Sequence, residues 1–146
     1  MLAESSYALR RLGRTAEARQ RLDRAVELLR EVKLYPVVQL QMETADTLSA
    51  LAEYVAATGK LPHAVELYES LLQLRLTAGE KPESVLSDAV EFSRLCARLA
   101  SLEDDLHRAN AALGYRSKRL DLWRRWEARV PNNSYVHRQL VEASKP

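Results

Sequence analysis

The side chains able to do chemistry are few and stand apart. His63, His107 and His137 are so widely separated that none has a second histidine, a cysteine or a carboxylate at metal-ligand spacing. A zinc site needs three or four converging ligands, so neither a metal nor a cofactor is expected. Cys96, the only cysteine, falls on the apolar side of a helical pattern, where a thiol packs as a small hydrophobe rather than acting as a nucleophile. Glu103-Asp104-Asp105 could be a cluster of catalytic carboxylates. Negative charge also suits the first turn of a helix, however, and that reading is preferred. No glycine-rich loop follows a strand, and no serine sits in a nucleophile elbow. No catalytic residue is expected, and the chain reads as a non-enzyme.

Trp123 and Trp126 form a stripe with Leu120 and Val130, surrounded by Arg116, Lys118, Arg119, Arg124, Arg125 and Arg129. The simplest reading is that the tryptophans pack the end of the chain onto the rest; the other is an exposed aromatic anchor for a partner. Basic residues interleaved with tryptophan can also hold nucleic acid, but Asp121 and Glu127 dilute the cluster. The charge is unevenly placed: +3 over residues 1–33, −7 over 34–105 and +6 over 106–146. With so acidic a middle, nucleic acid is disfavoured.

These residues are positioned by helices. The chain has 146 residues, with 47% apolar and 29% charged, and only four glycines and five prolines. That composition predicts an all-helical domain with room for a core. Punctuation divides it into about seven segments: 2–12, 15–32, 36–58, 61–77, 83–101, 105–130 and a short last helix from about 134. Pro36 and Pro62 suit first turns, Gly59 suits a left-handed helix end, and Gly114 is expected to kink or split the longest segment. Asn132, Asn133 or Ser134 can cap the last helix. No segment alternates with a period of two, so no sheet is expected. No apolar run approaches the ~20 residues of a membrane span. The opening residues lack a secretory pattern, and together with the lone cysteine this predicts a cytoplasmic protein.

Two stretches repeat. Gly13-Arg14-Thr15-Ala16-Glu17-Ala18 with Leu22 and Ala25 matches Gly59-Lys60-Leu61-Pro62-His63-Ala64 with Tyr68 and Leu71. Leu48, Leu51, Ala52 and Val55 precede the second copy at helical spacing. The layout resembles the tetratricopeptide repeat family, although the two glycines are 46 residues apart, against about 34 in the standard repeat. More loosely, Leu120-Asp121-Leu122-Trp123-Arg124-Arg125-Trp126 through Val136-His137-Arg138-Gln139-Leu140 resembles tails that follow some bacterial serine/threonine kinases. That would make the chain the non-catalytic end of something larger.

The resemblance implies antiparallel hairpins stacked as a right-handed α-α superhelix, one domain over 1–146. It would hold a partial repeat 1–33, a repeat 36–78, a degenerate repeat 82–130 and a capping helix 134–144. It further implies a protein-interaction module in a bacterial signalling or regulatory protein, holding a peptide or protein segment in a concave groove. Carried over by position, that groove would include Tyr7, Arg10, Asp46, Ser49, Glu53, Glu91, Arg94 and Arg98. A small-molecule-sensing domain and an oligomerisation module stay open as alternatives. The partner and the oligomeric state are not specified.

Overall fold

A computed structural model describes residues 13–31 and 37–145. Among them are six helices and no strand: α1 (Thr15–Glu31), α2 (Val37–Ala57), α3 (Leu61–Thr77), α4 (Leu86–Asp105), α5 (Ala109–Arg129) and α6 (Ser134–Ala143). The fold is all-α. The segment expected over 2–12 and the break at Tyr35-Pro36 lie outside the described residues. The chain divides into two compact units, one ending at Ala78 and the other beginning at Gly79.

In the first unit, α2 and α3 form a hairpin because the chain can reverse at Gly59. Gly59 has φ of 79°, a conformation that costs other residues about 1–2 kcal/mol. The Gly59 N–H donates to the Ala56 carbonyl at 3.0 Å and the Lys60 N–H to the Val55 carbonyl at 3.2 Å. This crossed pair satisfies carbonyls that the end of α2 would otherwise leave open. Pro62 sits in the first turn of α3. Ala52 and Val55 on one helix, and Ala64, Val65, Tyr68, Leu71 and Leu72 on the other, are buried. Each large side chain among them contributes about 1.5–3 kcal/mol by leaving water. Ala64 has no exposed surface at all, which fits a small residue that lets two helices approach closely. On α1, Leu22 packs with Ala50 and Tyr54, and the Arg19 guanidinium lies 4.9 Å from the Tyr54 ring centre.

The second unit repeats the hairpin with α4 and α5 and adds α6. Its turn differs from the expected one. α4 runs through Glu103-Asp104-Asp105 instead of ending before it, so the acidic triplet closes a helix and does not open one. The reversal falls at His107, which takes φ of 58°. Its N–H donates to the Asp104 carbonyl and the Arg108 N–H to the Glu103 carbonyl, both at 2.8 Å. That is the crossed pair seen at Gly59, built on a histidine. Carboxylates at a helix C-terminus oppose its dipole, and basic residues compensate here: Arg116 pairs with Asp104, and Arg108 lies 3.5 Å from Glu103.

His107 therefore marks the third copy of the repeated turn. Gly13, Gly59 and His107 each stand two residues before a helix, all with positive φ. Five residues after each come Ala18, Ala64 and Ala112, all with no exposed surface. Gly114 does not split α5, which continues from Ala109 to Arg129. Of the three residues able to cap α6, Asn133 does so, its side chain accepting from the N–H groups of Tyr135 at 3.0 Å and Val136 at 3.1 Å. The core joins Ala89 of α4, Leu122, Trp123 and Trp126 of α5, and Val136 and Ala143 of α6.

Candidate functional site

Six of the eight groove residues fall within the described part of the chain; Tyr7 and Arg10 lie outside it. Asp46, Ser49 and Glu53 follow one another at helical spacing along α2, so they share a face. Asp46 is exposed, whereas Ser49 and Glu53 are half-buried. Glu53 is tied inward, because the hydroxyl of the buried Tyr68 donates to Glu53 Oε1. A buried phenol without an acceptor would cost about 1–3 kcal/mol, so Glu53 supports the hairpin whatever else it does.

Glu91, Arg94 and Arg98 make a comparable stripe on α4. Arg94 donates to Glu91 Oε1 at 3.0 Å with 73% of its side chain exposed; such a surface pair is worth little. Arg98 is half-buried. Counting back from the left-handed turn residue refines the match between the two stripes. Asp46 lies thirteen residues before Gly59, and Arg94 lies thirteen before His107. Ser49 and Glu53 correspond to Ala97 and Ser101, so Arg94 alone of the α4 set occupies the same place as a member of the α2 set. Reading the sequence missed this register because the third turn has no glycine to mark it.

The tryptophans pack the unit and do not form an exposed anchor. Trp123 is wholly buried and Trp126 is 7% exposed. Trp123 Nε1 donates to Ser93 Oγ at 2.8 Å, Trp126 Nε1 donates to the Pro82 carbonyl at 2.8 Å, and the rings of Trp123 and Tyr135 meet edge to face. Several of the surrounding cations are also turned to internal partners. Arg125 pairs with Glu83 at 2.9 Å, Arg129 donates to the Glu83 carbonyl, and its guanidinium lies 4.6 Å from the Trp126 ring centre. Arg119 Nε donates to Ser93 Oγ at 3.0 Å.

Cys96 is buried, and burial pushes its thiol up to about 11 from an ordinary 9.0, outweighing the pull of Lys118 and Arg119. A thiol held so far above neutrality makes a poor nucleophile. His63 and His107 are exposed, and His137 Nδ1 stands 3.1 Å from Glu127 Oε1. Among the described residues no three His, Cys, Asp or Glu side chains stand together as a metal site. No described helix is long and apolar enough to cross a membrane. No protein-family model matches the chain, and neither the curated proteins nor the solved structures compared with it gave a match.

Proposed function

We propose that this chain is a protein-interaction module of the tetratricopeptide type that holds an extended peptide or protein segment along the first helix of each hairpin. One observation carries the reading. Asp46 on α2 and Arg94 on α4 are exposed, oppositely charged and thirteen residues ahead of equivalent left-handed turns. Packing does not require either side chain, so each hairpin keeps one exposed charge for a bound segment. A cytoplasmic setting in a bacterial signalling protein fits the kinase-tail resemblance.

The test is selection from a peptide display library with the wild-type chain and with Asp46→Lys/Arg94→Glu. Both positions are exposed, so helical circular dichroism should be unchanged while enrichment of charged peptides is lost. Equal enrichment by the double variant would refute the reading. Glu53 and Arg98 are poorer choices, because each is half-buried. A small-molecule sensor would instead show ligand-dependent thermal stabilisation, and an oligomerisation module would associate with rising concentration in sedimentation.

A further inference from the structure

The third copy of the turn breaks the packing rule of the first two. Nine residues after the turn glycine stand Leu22 and Tyr68, both buried, and twelve after Gly59 stands buried Leu71. After His107 these two places hold Arg116 and Arg119. The facing walls are small residues, Ala97 and Ala100 on α4 and Ala143 at the end of α6, and the cleft between them has a volume of about 300 Å³. Two guanidiniums one helical turn apart thus face a space where the other hairpin has core.

We propose that this cleft, lined by α4, α5 and the end of α6, binds a small monocarboxylate. Its charged lining is Arg116, Arg119 and Lys145 against Asp104 and Glu142, an excess of one positive charge. Asp104 is engaged by Arg116 and Glu142 by Lys145. Arg119 also draws on Glu142, but its hydrogen bond goes to the neutral hydroxyl of Ser93. Ser93 is only 3% exposed and accepts from Trp123 as well, so a buried group fixes the arginine without neutralising it. A planar guanidinium held this way suits the two oxygens of a carboxylate, and one negative charge balances the lining where a dianion would overshoot. The alanines offer a wall to a short aliphatic body. The volume is at the small end of ligand pockets.

The probe is butyrate, titrated into the full chain and followed by NMR at the Trp123 indole N–H, which shares its acceptor with Arg119. A saturable shift is expected with butyrate, and none with butyramide at equal concentration. Arg119→Gln should weaken binding by about tenfold or more, the scale of a lost charge-assisted hydrogen bond. Lys145→Gln, on an exposed side chain, should weaken it by about twofold to threefold through lost charge alone. Acetyl-trialanine with a free carboxyl group separates the sources of the carboxylate. Tighter binding than butyrate assigns the site to a chain terminus, equal or weaker binding assigns it to a free acid, and both uphold the site. Three results would overturn it: equal shifts from butyrate and butyramide, undiminished affinity in a folded Arg119→Gln, or undiminished affinity in Lys145→Gln. The cleft contains neither Asp46 nor Arg94, so this experiment and the peptide selection fail independently.

Discussion

Replacing His107 with glycine should stabilise the second unit. His107 holds φ of 58°, and an L-residue with a Cβ costs about 1–2 kcal/mol in that region. Glycine removes the cost but gives the unfolded chain more freedom, worth about 0.5–1 kcal/mol the other way. His107 is exposed, so no packing is lost in the exchange. The net gain is about 0.5–1 kcal/mol, which moves the melting midpoint of a unit this size up by roughly 2–8 °C. Both tryptophans, Trp123 and Trp126, belong to the same unit as His107, so fluorescence-monitored unfolding reports on the right part of the chain. Gly59→Ala is the reciprocal change. A Cβ at Gly59 would meet nothing within 4 Å, so the same two contributions apply with opposite sign and the expected net loss is about 0.5–1 kcal/mol. A His107→Gly protein no more stable than the wild type would refute the equivalence of the two turns.

The other expectations concern single sites. Gly114→Ala should add about 0.5–1 kcal/mol, since Gly114 lies inside α5 and a Cβ there would meet nothing within 4 Å; an unchanged urea midpoint would argue against a helical Gly114. Ser93→Ala removes the acceptor of Trp123 Nε1 and Arg119 Nε and should cost about 1–3 kcal/mol, with Ser93→Thr keeping part of it; a neutral Ser93→Ala would mean that water serves both donors. Cys96 should resist iodoacetamide at pH 8 in the folded protein and react fully in urea. Its thiol is raised from 9.0 to about 11, so the unfolded chain releases that proton first and stability should fall as pH rises from about 9 to 11. A cysteine-free variant with the same alkaline loss would remove Cys96 as the cause.

Much of the fold was legible because the punctuation was strong. Gly59, Pro62 and the three-and-four spacing of Leu48, Leu51, Ala52 and Val55 mark the α2–α3 hairpin without ambiguity. The second hairpin was misjudged by a few residues for a physical reason. A histidine in the left-handed conformation leaves no compositional trace, and an acidic triplet is ordinarily a helix-start signal. With His107 unrecognised, Arg116 and Arg119 looked like members of a basic surface cluster, when they occupy the places of Tyr68 and Leu71. The pairing of Asp104 with Arg116 depends on that hidden turn and could not be read from spacing. Glu53 was visible as a polar residue on a helix face, but its bond to Tyr68 required the packing of two helices.

The link from Trp126 to the Pro82 carbonyl, together with Arg125 and Arg129 at Glu83, ties the far end of α5 to the residues leading into α4. A helical hairpin is normally sewn at one end by its turn and free to fray at the other. This one is sewn at both, which makes a ring of backbone closed by side chains. Peeling either helix away means first extracting a tryptophan, so the two helices of the ring should come apart together and late.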